Sequence, residues 1–149
     1  MLGRRAVVVV CLVVAGGCTE SDGPPPSTAC TAEPAAVAAA LAKAPGEVRL
    51  ADGTPLSECV ARAGSDAELQ NLGLVLTGVA EDLEAQALEE PRAALQLGYL
   101  IGAARRGAPS ESSLQAELVH RLERSAALDL PAAAERALAE GMRAGERSG

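Results

Sequence analysis

The sequence predicts an all-α domain, a four- to five-helix antiparallel array with a short hairpin or extended loop near its N-terminus. Apolar residues recur at spacings of three and four across most of residues 65–143, as they do on the buried face of a helix. Helix boundary signals, among them Pro91, Gly107 and Pro109, separate these stretches. The connections between the stretches are short, which favours neighbouring helices that run in opposite directions.

The first predicted helix covers residues 34–43, an alanine-rich segment that begins with a proline suited to a first helical turn. Residues 47–50 then alternate polar and apolar side chains and lead into the turn dipeptide Asp52-Gly53. This pattern indicates either a small hairpin or an extended loop with a turn. Pro55 argues against a well-paired second strand.

The later helices are predicted from their caps and their apolar stripes. We expect Ser57 to cap a short helix and Ser110 to cap a longer one. Ser65 and Glu68 fit a capping box, in which each residue satisfies a backbone amide near the other. Residues 145–149 are predicted to fray at the C-terminal end. The four longer helices are predicted over residues 66–88, 91–106, 111–126 and 132–143.

Composition restricts the classes of function. The chain of 149 residues has 13 basic and 20 acidic side chains and a formal net charge of −7. Such an acidic chain is a poor ligand for nucleic acid. Tyr99 is the only aromatic residue, so stacking platforms for bases or sugar rings are absent from the sequence. The length suits one domain with a modest core.

The N-terminal residues are typical of a secretory signal. Arg4 and Arg5 precede an apolar run over residues 6–14, and small residues follow that run. The run is shorter than the roughly 20 residues that a membrane-spanning helix needs. We therefore predict a cleaved signal rather than a permanent transmembrane anchor.

Residues 14–18, Val-Ala-Gly-Gly-Cys, resemble the lipobox of bacterial lipoproteins. The resemblance implies that Cys18 receives a diacylglycerol and that a peptidase cuts the chain just before it. Ala15 stands where the family most often has leucine, and the alternative is an ordinary secretory signal in which Cys18 is incidental. Two or three acyl chains would give stable membrane attachment, whereas one chain would be marginal.

The expected organisation follows from this signal. Residues 1–17 form the signal peptide, residues 18–33 a lipidated tether, and residues 34–149 the helical domain. Three consecutive prolines, together with small and polar neighbours, favour an extended and solvated conformation for the tether.

Two of the four cysteines are predicted to pair. Cys11 leaves with the signal and Cys18 is the acylation candidate, which leaves Cys30 and Cys59. In an oxidising extracytoplasmic space, two such cysteines indicate one structural disulfide. The alternative, a redox or nucleophilic cysteine, lacks both a Cys-x-x-Cys spacing and a basic neighbour.

Small residues repeat every four positions at Ala94, Gly98 and Gly102, inside a predicted helix. Each mid-helix glycine costs about 1 kcal/mol relative to alanine, so another interaction must offset the cost. Close approach of a neighbouring helix is one explanation. A groove for a small apolar or lipidic ligand is the other, with Tyr99 beside it.

Candidate chemistry in the sequence is sparse. His120 is the only histidine and lies three residues from both Glu117 and Glu123, which is too few ligand types for a convincing metal site. The sequence contains none of the common hydrolase, metalloprotease or phosphate-binding motifs. A hydrolase that uses paired carboxylates such as Glu89 and Glu90 is the least favoured hypothesis, and we predict no catalytic residues, no metal and no cofactor.

The sequence therefore predicts a non-enzymatic lipoprotein of the cell envelope. We expect it to be extracytoplasmic and anchored by its N-terminal lipid, with a binding or structural role and an envelope protein as partner. An outer-membrane address is expected in a double-membrane bacterium. The alternative is a carrier of a small apolar or lipidic ligand in the groove at Ala94, Gly98 and Gly102.

Overall fold

A computed structural model describes residues 24–108, 110, 114–126 and 129–149 of the chain. These residues form one 3₁₀ turn, Thr28–Thr31, and six α-helices without a β-strand. The helices are α1 (Pro34–Leu41), α2 (Leu56–Arg62), α3 (Asp66–Ala87), α4 (Pro91–Gly107), α5 (Leu114–Ser125) and α6 (Ala132–Ser148). The all-α prediction is confirmed, whereas the predicted number of helices was too low because α1 and α2 are both complete short helices.

Helix α3 begins as its sequence predicts. The Ser65 hydroxyl accepts the Glu68 backbone N–H, and the Glu68 carboxylate accepts the Ser65 backbone N–H at 3.0 Å. These two bonds satisfy amides that a helix start otherwise leaves unpaired. The predicted apolar stripe is buried in the core along Leu72, Leu76, Val79 and Leu83.

Helices α4 and α6 make the most extensive contact between elements of the described chain. Gly98 lies against the backbone of residues 138 and 142, and Gly102 lies against that of residues 142 and 146. Because the residue numbers rise together along both helices, α4 and α6 run parallel. The predicted antiparallel arrangement is thus wrong for this pair, since α5 lies between the two helices in sequence and returns the chain.

The segment between α1 and α2 is an extended loop rather than a hairpin. The Leu50 backbone N–H donates to the Thr54 carbonyl oxygen at 3.0 Å, which closes a turn at Asp52 and Gly53. Gly53 has φ +89°, a left-handed conformation that glycine adopts without strain. No residue in the described part of this segment is assigned to a strand.

Tyr99 fixes this loop to the helical core. Its side chain is fully buried, and its hydroxyl accepts the Val48 backbone N–H at 3.4 Å. The same hydroxyl lies 3.3 Å from the Ser148 Oγ at the end of α6. One aromatic side chain therefore connects the loop, α4 and α6.

Both ends of the domain differ from the prediction. The turn Thr28–Thr31 packs on the domain with Cys30 buried, so the folded region begins before Pro34. At the other end, residues 145–149 continue α6 or pack beside it and do not fray, because Gly145 and Gly149 lie directly against α4.

Ser57 and Ser110 have roles other than the predicted ones. Helix α2 starts at Leu56 after Pro55, and Ser57 lies inside it, where its hydroxyl donates to the main-chain oxygen of Gly149. Ser57 therefore links α2 to the end of α6 instead of capping α2. The cap predicted at Ser110 involves residues 111–113, which lie outside the described residues.

Candidate functional sites

The predicted lipid attachment residue, Cys18, lies outside the described residues. The same holds for the signal segment and for the first part of the tether. Within the described ranges, no helix combines the length and the apolar character that crossing a membrane requires.

The predicted disulfide is present between Cys30 and Cys59, with a Cα–Cα distance of 5.5 Å. It joins the 3₁₀ turn to α2, and both cysteines are buried in the core. Burial keeps the bond away from solvent thiols, as is typical of a structural rather than a catalytic disulfide. The link attaches the end of the tether directly to the helical domain.

The small residues of α4 face another helix of the same chain. A Cβ added to Gly98 would overlap the Leu138 carbonyl oxygen and lie 2.9 Å from the Met142 backbone nitrogen. A Cβ added to Gly102 would meet the backbone of Met142 and Glu146 in the same way. Ala94 is fully buried in a small cluster with Leu130 and Ala134. The groove predicted as the alternative is therefore filled by α6, because the glycines let the two backbones touch.

Sequence reasoning missed the matching half of this contact. Gly141, Gly145 and Gly149 repeat every four residues on α6 and lie against the backbone of α4. A Cβ on Gly141 would lie 2.8 Å from the Tyr99 backbone nitrogen, and one on Gly145 would lie 2.7 Å from that of Ala103. The period-four glycine pattern was the signal that pointed to this face.

An open cleft of about 620 Å³ lies between the end of α4 and α5. Its polar side chains include Arg105, His120 and Glu123, and Ala108, Ala116 and Val119 give it an apolar wall. The Arg105 Nε donates to Glu123 Oε1 at 2.8 Å, and the His120 Nδ1 lies 3.2 Å from Glu123 Oε2. His120 is thus engaged by Glu123 rather than by Glu117, and no group of metal-ligating side chains occurs among the described residues.

Electrostatics in this cleft are dominated by ion pairing. Partial burial raises the pKa of Glu123, but hydrogen bonds from Arg105 and His120 outweigh it and the pKa is lowered overall. Arg105 also pairs with Glu146 of α6 at 3.2 Å. Arg105 therefore connects α4 to both α5 and α6, and its charge is already balanced within the protein.

This ion pair predicts a pH-dependent contribution to stability. Since folding lowers the pKa of Glu123, the carboxylate stabilises the fold above its ordinary pKa of about 4.5 and loses that effect as the pH falls through the folded value. We expect the difference in unfolding free energy between the wild type and Glu123→Gln to be largest near neutral pH and to shrink below pH 4.5.

Chemical denaturation across this pH range measures the effect. An Arg105→Gln background is the matched control, because removing the strongest donor should flatten the pH dependence that Glu123 contributes. An equally steep pH dependence in that background would contradict the assignment.

A second surface feature lies on α3, on the side that faces away from the core. Leu74 is 70% exposed there, beside Gly73, Thr77 and Gly78. The Thr77 Oγ1 is buried and has no hydrogen-bond partner among the described residues. The sequence signal for this face was a leucine placed off the buried stripe of α3.

Comparison with known proteins gives no assignment. No protein-family model matches the chain, no curated protein matches it, and no solved structure matches its fold.

Proposed function

We propose that this chain is a lipid-anchored extracytoplasmic lipoprotein whose helical domain serves a non-enzymatic binding or structural role in the cell envelope. The observation that carries the proposal is residues 14–18, which end at Cys18 after a short apolar run. A proline-rich tether follows this cysteine directly.

The buried disulfide supports the same compartment. Disulfides persist in oxidising spaces outside the cytoplasm and are rare inside it. Cys30 and Cys59 join the tether end to the domain, so a load on the anchor would reach the core through a covalent bond. The disulfide is therefore well placed in a protein that is attached to a membrane at one end.

The features of the domain favour binding over catalysis. The polar side chains of the α4/α5 cleft are paired with one another, and the fold places no second histidine or free thiol beside His120, because the chain has one histidine and the domain cysteines are bonded. General acid–base and nucleophilic mechanisms need groups that are free to exchange protons with a substrate. The ligand-carrier alternative is not retained, since α6 fills the face at Gly98 and Gly102.

Intact-mass analysis of the membrane fraction tests the anchor. We expect wild-type protein to have the mass of a chain that begins at Cys18 plus acyl groups, and to gain two protons on reduction. Cys18→Ala should lose the acyl mass and leave the membrane fraction.

Cys11→Ala is the matched control for this experiment. Since Cys11 precedes the expected cleavage site, the mature mass should equal that of the wild type. A wild-type chain without acyl groups, or a Cys18→Ala chain that keeps its acyl mass, would overturn the proposal.

A further inference from the structure

The outward face of α3 is a continuous surface built from four successive turns. Gln70, Gly73, Leu74, Thr77, Gly78 and Glu81 share one side of this helix and border a shallow concavity of about 310 Å³ together with Arg121 of α5. Leu74 is the projecting side chain of this face, since 70% of it is exposed. We call these seven residues the α3 face.

The α3 face contains a knob and a matching depression. Leu74 projects from it, whereas Gly73, Thr77 and Gly78 leave the helix surface low on either side. A Cβ on Gly78 would have no neighbour closer than the Pro34 Cγ at 4.0 Å, so open space lies above this glycine. Small residues at such positions let a second helix approach closely.

From this self-complementary shape, we infer that the α3 face is a homodimer interface in which two copies of α3 cross in antiparallel orientation. A two-fold contact requires that each residue of the patch meet its counterpart's partner in return. Pairing residues whose numbers add to 151 satisfies this condition. Leu74 then lies opposite Thr77 of the second copy, Gly73 opposite Gly78, and Gln70 opposite Glu81.

The charges of the α3 face fit a second copy of the chain. Glu81 and Arg121 give the face one acidic and one basic side chain, whereas the whole chain has a net charge of −7. Two copies thus meet through a patch without net charge, which avoids the repulsion that the rest of the surface would cause. In the antiparallel register, Gln70 brings amide donors to the Glu81 carboxylate of the second copy, and Arg121 adds a positive charge on the same side.

The unpaired Thr77 hydroxyl lies at the centre of this face. Its oxygen is buried without a hydrogen-bond partner among the described residues, which is unfavourable for a polar group. A second helix packed over Thr77 would bring polar side chains such as Gln70 within its neighbourhood. The dimer does not depend on the lipid anchor, so either proposal can fail while the other survives.

Sedimentation equilibrium of the purified full-length protein in a non-ionic detergent tests the interface. We expect a reversible dimer at protein concentrations up to about 100 µM, within the range of modest interfaces. Leu74→Glu should weaken the dimer by at least about 30-fold, because it places a charge at the centre of the contact. Its fold should be unchanged, since Leu74 is exposed in the single chain.

Leu88→Glu is the matched control, because Leu88 is 52% exposed but lies outside the α3 face. It should dimerise like the wild type. A wild type that stays monomeric up to about 100 µM, or a Leu74→Glu variant that dimerises as strongly as the wild type, would overturn the inference.

Cysteine crosslinking checks the register. In a Cys11→Ser, Cys18→Ser background, a mixture of Gln70→Cys and Glu81→Cys chains should form a mixed disulfide dimer. Gln70→Cys chains alone should not crosslink, because the two copies of residue 70 lie at opposite ends of the contact. Efficient crosslinking of Gln70→Cys with itself would exclude the antiparallel register.

Discussion

Gly98→Ala should destabilise the domain by at least about 3 kcal/mol, although alanine is the better helix former. The added Cβ would overlap the Leu138 carbonyl oxygen and lie 2.9 Å from the Met142 backbone nitrogen. Backbone atoms cannot rotate away as a flexible side chain does, so α4 and α6 would have to separate. Chemical denaturation followed by circular dichroism measures the loss.

Gly78→Ala is the matched control, since it is also a mid-helix glycine. Its added Cβ would meet only the Pro34 Cγ at 4.0 Å, which is an ordinary contact. We expect this variant to be stabilised by up to about 1 kcal/mol through helix propensity. Equal effects of the two substitutions would show that the contact between α4 and α6 is looser than described.

Gly98→Leu extends the same test to the ligand-carrier hypothesis. In a cavity that holds a ligand, leucine would displace the ligand and leave the domain folded. Because α6 already occupies this face, we expect Gly98→Leu to unfold the domain instead. A folded Gly98→Leu variant would argue for a space that α6 does not fill.

Removing the disulfide should cost roughly 3.5 kcal/mol, the chain-entropy value for a loop of this length. Cys30 and Cys59 are 29 residues apart, and the bond limits the freedom of the unfolded chain. The Cys30→Ala, Cys59→Ala double variant should therefore unfold at a much lower denaturant concentration than the wild type. The expected structural consequence is local, with the turn Thr28–Thr31 leaving the core first.

Reduced wild-type protein is the control for this double variant. It should lose a similar amount of unfolding free energy, because its two thiols remain in place while the covalent link is gone. A loss below about 1 kcal/mol in both samples would contradict the structural role of the bond. A loss in the double variant alone would indicate that packing of the two sulfur atoms, and not the crosslink, stabilises the domain.

Much of the fold follows from local sequence signals. The capping box at Ser65 and Glu68 formed as predicted, because both partners lie within one turn of the helix start. The bounds of α4 agree with the prediction to one residue, since Pro91 and Gly107 act on the backbone next to them. The disulfide followed from counting cysteines, because the remaining two residues had only each other as partners within the domain.

Features that depend on distant residues were predicted less well. The C-terminal residues read as a fraying end, because three glycines weaken a helix when it is considered alone. In the structure Gly141, Gly145 and Gly149 contact α4, and this packing offsets their low propensity. Ser57 likewise binds the main-chain oxygen of Gly149, a residue 92 positions away, instead of capping its own helix.

The sequence by itself determined the helical class, the main helix starts and the pairing of Cys30 with Cys59, because each depends on neighbouring residues or on a simple count. Only the tertiary structure decided that Gly98 and Gly102 pack against α6 and that Leu74 projects from the outward face of α3. A repeat of small residues states that something comes close but not what comes close. The identity of that neighbour depends on how the whole chain folds back on itself.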